Sequence, residues 1–273
     1  MDNLLNNPFV QSAIVPFIVS LFVAVLLRPH GWVWAGLSAV LGFLATVYLL
    51  TGFEFFPLRS HRKILLLGCG AIVLGLLLDA LPWRKFIFVL LFVAAAGSTV
   101  WLLWPRYRYV DGAEFWALFV GGAVYAGWLV VACQDLRNKP VQADGAVFAL
   151  ALGTGVTALL GATALYGQLA SAIAAAVGAR LLMHALGKPL AAGSVMVVPL
   201  VLVCALLGIG AVAYAKLPWY NLALLALVPA LVRISLPGSL PRLLYLVASV
   251  ALAMLPAVVA MFLTWRETGA PPI

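Results

Sequence analysis

The chain has 273 residues, of which 66% are hydrophobic and only 9% charged, and its formal net charge is +8. A soluble domain of this length needs far more charge on its surface, so the composition excludes a soluble globular protein. The excess of Lys and Arg does not indicate nucleic-acid binding, because no basic run is long enough for it. The basic residues lie mainly at the ends of apolar runs, where they anchor helices at a bilayer surface.

Ten apolar runs follow one another, and each has about the 20 residues that a membrane-spanning helix needs. They cover residues 8–27, 31–51, 63–81, 86–104, 114–133, 145–165, 167–187, 193–215, 218–236 and 241–264. We expect the sixth and seventh runs to be divided by a tight turn at Tyr166-Gly167-Gln168. The sequence therefore predicts an all-α integral membrane protein with about ten transmembrane helices, multi-pass, in a plasma (inner) membrane.

An internal repeat accounts for the number of runs. When the chain is aligned with itself at an offset of 136 residues, Leu81-Pro82-Trp83 falls on Leu217-Pro218-Trp219, and Pro105-Arg106 falls on Pro241-Arg242. Matches of such uncommon pairs at one constant offset indicate a duplication. The alternative is coincidence in an apolar chain of low complexity.

The repeat divides the chain into a first five-helix unit at 1–133, a polar linker at 134–144 and a second five-helix unit at 145–273. Because five is an odd number of crossings, the two units are expected to enter the membrane in opposite senses, as inverted repeats do. Lys and Arg are distributed almost evenly between the two predicted faces, so the positive-inside rule assigns no orientation. An even number of crossings per unit, which makes the repeats parallel, stays open.

Interrupted helices at matching positions are the sequence feature that best indicates a transport site. Pro16 lies within the first run, and the offset places it opposite Leu152, immediately before Gly153-Thr154-Gly155 in the sixth. Both segments weaken the helical hydrogen-bond pattern and free backbone groups for a solute. Helix packing is the alternative explanation, because Pro and Gly are common in membrane helices.

A second matched pair consists of the fourth and ninth runs. The fourth contains Gly97-Ser98-Thr99, and the ninth contains Pro229 and Arg233. The hydroxyl groups predict either a polar path or, equally, a tight helix contact. Small residues at Ala170, Ala174 and Gly178 predict packing faces, either within the bundle or across a dimer.

Few ionisable residues lie deep in the runs. Arg180 and His184 stand four residues apart, hence on one face of the seventh run. They are either functional or, slightly in preference, extended toward the interface near Lys188. No acidic residue stands clearly in the middle of a run. Asp79 is expected to pair with Arg84 and Lys85.

These features predict a secondary carrier or facilitator for a small polar or anionic solute, working by alternating access. The candidate substrate-binding residues are Pro16, Gly97, Ser98, Thr99, Gly153, Thr154, Gly155, Arg180, His184, Pro229 and Arg233. The predicted partners are the lipid bilayer, a small-molecule solute, and a second copy or other membrane proteins, without nucleic acid.

Two alternatives remain. The chain is a non-catalytic subunit of a membrane complex, or it is a lipid-modifying enzyme that uses His61 and its basic neighbours. We do not expect an enzyme, because His61 has no orienting carboxylate at a definable spacing. The sequence predicts no catalytic residues, no cofactor and no metal site, since it contains no motif for any of them.

Overall fold

The computed structural model describes residues 7–28, 32–53, 55–80, 86–108, 112–237 and 239–268, and within these ranges all regular structure is helical. Nine of the helices described there are long and apolar enough to cross a membrane. In chain order the helices are α1 (Val15–Leu27), α2 (Trp32–Thr51), α3 (Ser60–Ala80), α4 (Phe86–Leu103), α5 (Gly112–Asp135), α6 (Pro140–Gly161), α7 (Ala164–Ala185), α8 (Gly193–Ala215), α9 (Tyr220–Leu225), α10 (Val228–Val232) and α11 (Arg242–Thr268). The architecture confirms the predicted class, a polytopic all-α membrane protein.

The outer surface of the bundle is apolar. Phe22 on α1, Phe86 on α4 and Phe262 on α11 are 64%, 60% and 54% exposed. Exposed apolar surface on this scale marks contact with a membrane or with another protein. Because nine helices also have the length and composition of membrane spans, this surface contacts the lipid bilayer.

The start of the first span is irregular near Pro16, as the sequence predicts. A π-helical turn, Val10–Ile14, leads directly into α1, and Pro16 stands at the beginning of that α-helix. Proline cannot donate a backbone hydrogen bond and clashes with the preceding turn, and such bulges are a common response. The helix changes its hydrogen-bond register here and continues without a gap.

The turn between the sixth and seventh spans lies earlier than predicted. Helix α6 ends at Gly161, and Thr163 caps α7 by accepting a hydrogen bond from the Tyr166 backbone amide at 3.4 Å. Residues 166–168, the predicted turn, are therefore helical. Gly167 serves a packing role instead, because a Cβ atom built there would lie 2.2 Å from Leu159 Cγ.

The connection between the two halves is also shorter than the predicted linker 134–144. Helix α5 continues to Asp135 and α6 begins at Pro140, so that residues 136–139 alone are non-helical. Proline at the first position of a helix loses no hydrogen bond and favours the start of α6 there. Consequently Asp144 lies inside a helix, one turn from its beginning.

The ninth predicted run, 218–236, is a broken helix, which we call the α9–α10 segment. Its two short helices, α9 and α10, are separated at residues 226–227. Pro229 causes the break because it offers no amide hydrogen to the preceding turn. The backbone carbonyl of Ala226 accepts a hydrogen bond from the Trp128 indole of α5 at 2.9 Å instead.

The spans alternate in direction, which gives the bundle two faces. We call the face with residues 136–139 the linker face and the opposite one the terminal face, because α11 ends on it. Helices α6 and α11 run parallel, since Gly145 lies beside Val250 and Gly161 lies beside Thr264. The α9–α10 segment runs parallel to α5 and ends at Arg233 beside Asp135, on the linker face.

Helix α8 stands at the centre of the bundle and contacts α2 through α7. Small residues bring its neighbours close. A Cβ atom built at Gly75 of α3 would lie 2.7 Å from the carbonyl oxygen of Ser194. The predicted packing face of α7 is likewise internal, because Ala170 is fully buried and Ala174 is 3% exposed.

Candidate functional site

A buried ionic cluster lies near the linker face, at the beginning of α6 and the end of α7. Arg180 Nε lies 3.2 Å from both carboxylate oxygens of Asp144, and His184 Nε2 lies 2.9 Å from Asp144 Oδ2. The side chains of Asp144 and Arg180 are fully buried, and that of His184 is 1% exposed. A guanidinium in such surroundings needs a carboxylate partner, because burial of an unpaired charge is very costly.

The same guanidinium joins the two halves of the chain. Its Nη1 donates to the Ala35 carbonyl and, at 3.1 Å, to Ser38 Oγ, both on α2. Its Nη2 donates at 2.7 Å to the Ala191 carbonyl in the connection to α8. The preferred prediction, that Arg180 and His184 extend toward the interface, is therefore wrong: both turn inward because Asp144 is there to receive them.

Asp144 is the residue that the sequence analysis missed. The sequence places it in the predicted polar linker and indicates no acidic residue clearly in the middle of a run. The signal that marks it is Pro140, which favours a helix start and thereby places Asp144 one turn inside the helix. The match between Asp144 and Arg180, which lie on different helices, follows from no periodicity in the chain.

A second carboxylate on the linker face caps the central helix. Asp79 Oδ1 accepts from the Ser194 amide at 2.8 Å, and Asp79 Oδ2 accepts from the Val195 amide at 2.9 Å. These amides belong to the first turn of α8, where backbone donors have no helical partner. Arg84 and Lys85, the expected partners of Asp79, lie outside the described residues.

Replacement of Asp79 with Ala is expected to lower the free energy of unfolding by about 0.5–2 kcal/mol, the usual value of a lost helix cap. Asp79→Asn retains one acceptor oxygen and is expected to lose less. Chemical denaturation of the purified protein in detergent micelles measures both variants. Equal and negligible losses for the two variants would show that the cap does not stabilise α8.

Three of the candidate residues on α1 and α6 make close helix contacts. A Cβ atom at Gly42 of α2 would lie 2.6 Å from the Pro16 carbonyl oxygen. A Cβ atom at Gly153 would lie 2.5 Å from Leu225 Cδ2, and one at Gly155 would lie 2.9 Å from Ser171 Oγ. Helix α6 runs unbroken through Gly153-Thr154-Gly155, so the predicted interruption of this span is absent from it.

The candidate residues on α4 do not form a polar path. Ser98 Oγ donates to the Ala94 carbonyl at 2.8 Å, and Thr99 Oγ1 donates to the Ala95 carbonyl at 3.2 Å. Both hydroxyls are thus bonded to their own helix. A Cβ atom at Gly97 would meet no atom within 4 Å, because this residue faces outward.

Arg233 is paired at the linker face. Its Nη2 lies 3.1 Å from Asp135 Oδ2 and 2.9 Å from the Ala132 carbonyl oxygen. The Arg233 and Asp135 side chains are 33% and 59% exposed, so this ion pair lies at the surface. Neither Arg233 nor Arg180 presents a free charge to a cavity.

A groove of about 570 Å³ lies between α5 and the α9–α10 segment, with α8 as its floor. We call it the lateral groove, because rim residues such as Val124 (53% exposed) and Trp219 (72% exposed) open on the outer surface of the bundle. It extends from the terminal face to the helix break. Its lining residues are Glu114, Ala117, Leu118, Gly121, Gly122, Val124, Tyr125, Trp128, Ile209, Val212, Trp219, Leu222, Ala223 and Ala226.

Two buried hydroxyl groups, one on α5 in the wall of the lateral groove and one on α6, have no hydrogen-bond partner among the described residues. They belong to Tyr125, which is 7% exposed, and Thr154, which is 1% exposed. A Cβ atom at Gly208 of α8 would lie 3.9 Å from both Tyr125 Oη and Thr154 Cγ2, so both side chains lie beside Gly208, Thr154 with its methyl group toward it. Of the two, Tyr125 is the one that lines the groove. Buried hydroxyls normally find partners, and orphaned ones at a cavity are candidates for ligand contact.

His61, on which the enzymatic alternative depends, lies in the first turn of α3. Its charged neighbours include the cationic side chains of Arg59 and Arg62. Basic neighbours do not orient an imidazole as a general base in the way a carboxylate does. Within the described ranges, no group of three or more His, Cys, Asp and Glu residues has the geometry of a metal site.

A comparison with protein families finds no family that matches this chain, and a comparison with curated proteins finds no relative. The fold therefore defines the class by itself. The chain is an integral, multi-pass membrane protein of the all-α class.

Proposed function

We propose that this protein is a secondary carrier or facilitator that moves a small solute by alternating access, with the lateral groove as its solute site. One observation carries the proposal: a groove large enough for a small molecule reaches a broken helix and the orphaned hydroxyl of Tyr125. Broken helices beside a site near mid-depth are typical of secondary transporters.

The directions of the spans support this function. Helix α1 leads away from the terminal face and α6 leads toward it, and the same opposition holds for each later pair of corresponding spans. The broken α9–α10 segment, which is the ninth span, then corresponds to α4, the fourth. Such opposition is what inverted repeats require, and many secondary carriers are built from them.

The two halves pack differently, as alternating access requires of any single conformation. Helix α5 of the first half lies against α8 of the second half, whereas its counterpart α11 lies against α6 of its own half. A carrier holds its repeats in unequal arrangements and exchanges them to open the other face. In the present conformation the groove is open on the outer side of the bundle and extends to the terminal face, where Glu114 lines it.

The walls of the groove favour a largely apolar solute with few polar groups. Arg180 and Arg233 both have carboxylate partners, so the basis for an anionic solute is lost. Trp128, Trp219 and Tyr125 supply aromatic surface, and the opening on the bundle's outer side gives access from the lipid. We therefore propose an amphiphilic solute rather than the anionic one.

A labelling experiment tests alternating access without knowledge of the solute. In a background with Cys69, Cys133 and Cys204 replaced, Tyr125→Cys is expected to react with a charged methanethiosulfonate reagent in both right-side-out and inside-out vesicles. The physical reason is that a site near mid-depth opens to each face in turn. The control is Ala205→Cys on α8, which is fully buried and is expected to react from neither side.

The second candidate function is a static subunit of a membrane complex. It is favoured by the dry centre of the bundle, where nearly every residue of α8 is buried and apolar. A static groove predicts that Tyr125→Cys reacts from the terminal face alone. One-sided labelling would contradict the carrier proposal and support this candidate.

A further inference from the structure

The charge and shape of the lateral groove indicate the class of molecule that it holds. Building on the carrier function above, we propose that the groove binds a lipophilic cation. The positive charge of this ligand lies beside Glu114, and its apolar body lies between α5 and the α9–α10 segment.

The charge of the groove comes from one residue. Among the described residues that line it, Glu114 alone is ionisable at neutral pH, and it takes part in no ion pair within the described ranges. Glu114 lies in the first turn of α5, where the helix dipole favours the ionised form of its carboxylate. This carboxylate is the group in the groove wall that can pair with a cation.

The aromatic walls have the same preference. The indole rings of Trp128 and Trp219 line the groove, and the faces of such rings attract cations through their quadrupoles. The remaining wall residues, apart from Tyr125, are aliphatic or small. Their side chains can pack against the apolar body of a ligand but cannot form hydrogen bonds with it. An anion gains nothing from either surface.

The position of the groove favours a lipid-soluble ligand. Glu114 is exposed near the terminal face, whereas Tyr125 lies about three turns further along α5. An amphiphile in the bilayer has the same arrangement, with its charge at the headgroup level and its apolar part below. A volume of about 570 Å³ is sufficient for a compact organic cation of drug-like size.

Tetraphenylphosphonium and tetraphenylborate test the proposal, because they are nearly equal in size and opposite in charge. Binding of each radiolabelled ion is measured to nanodiscs that contain the protein, with subtraction of binding to empty nanodiscs. We expect saturable binding of tetraphenylphosphonium and none of tetraphenylborate. Glu114→Gln is expected to weaken phosphonium binding about two- to fivefold, as for loss of one exposed charge pair.

Two glycines provide a matched pair of variants. Gly121 lines the groove, and Gly97 faces outward on α4; a Cβ atom at either would meet nothing within 4 Å, so a larger side chain fits at both. Gly121→Phe is expected to fill the groove and abolish phosphonium binding, whereas Gly97→Phe leaves it unchanged. Glu267→Gln, a charge change at the end of α11, also leaves it unchanged.

Two results would overturn the proposal. Either the borate binds as tightly as the phosphonium, or neither ion binds saturably, as expected if lipid acyl chains occupy the groove. The labelling of Tyr125→Cys separates this failure from failure of the carrier function. Two-sided labelling without phosphonium binding rejects the ligand class alone, and one-sided labelling with phosphonium binding rejects transport alone.

Discussion

Replacement of Asp144 with Ala is expected to lower the free energy of unfolding by about 3–5 kcal/mol, the cost of breaking a buried ion pair by removal of one partner. The variant leaves the Arg180 guanidinium fully buried, with the Ala35 and Ala191 carbonyls and Ser38 Oγ as its remaining acceptors. None of these groups is charged. Denaturation of the purified protein in mixed micelles measures the loss.

The surface pair of Arg233 and Asp135 is the matched control. Asp135→Ala removes a carboxylate from an exposed ion pair and is expected to cost no more than about 1 kcal/mol, because water solvates the remaining charge. A double variant, Asp144→Leu with Arg180→Met, removes both buried charges and is expected to be far more stable than Asp144→Ala. If Asp144→Ala and Asp135→Ala were equally mild, the buried cluster would not hold the two halves together.

Substitution of Gly75 with Val is expected to cost about 3 kcal/mol or more, at the upper end for overpacked interiors. A Cβ atom at this position would lie 2.7 Å from both the Ser194 carbonyl oxygen and Val195 Cα. These are backbone atoms in the first turn of α8, so no side-chain rotation relieves the clash. Helices α3 and α8 have to separate, which also pulls Asp79 away from the amides that it caps.

Gly70 lies on the same helix and provides the control. A Cβ atom there would meet nothing within 4 Å, and the residue is exposed. Gly70→Val is therefore expected to change the unfolding free energy by less than about 1 kcal/mol, the scale of helix-propensity differences. Thermal unfolding of both variants in one detergent gives the comparison. Similar losses at Gly70 and Gly75 would mean that the α3–α8 contact does not limit stability.

The sequence predicted the spans well and their ends less well. Apolar length is read directly from the residues, and nine long helices lie where nine of the ten runs were expected. The turn near Thr163 lies a few residues before the predicted turn at 166–168. The connection at 136–139 is shorter than the predicted linker 134–144. Single residues decide such boundaries, here the cap residue Thr163 and the first helical residue Pro140, and neither belongs to a strong local pattern.

Two sequence features led toward the site, although the predicted pairing of spans did not. Pro229 marked the segment that breaks, and Thr154 is one of the two orphaned hydroxyls. The other, Tyr125, was not singled out, because a lone tyrosine in an apolar run has no distinguishing neighbour. Pro16 and Gly97 lie elsewhere in the bundle, so the fourth and first spans contribute nothing to the groove.

Residence in lipid follows from composition, and the approximate number of spans follows from the succession of apolar runs, because the bilayer requires about 20 apolar residues for each crossing. The structure forms long helices from nine of the ten runs and breaks the ninth. The pairing of Asp144 with Arg180, the capping of α8 by Asp79 and the lateral groove were decided by tertiary structure. Each depends on how the helices are rotated about their own axes. A helix that is apolar on all sides carries no stripe to indicate that rotation, and contacts with its neighbours set it instead.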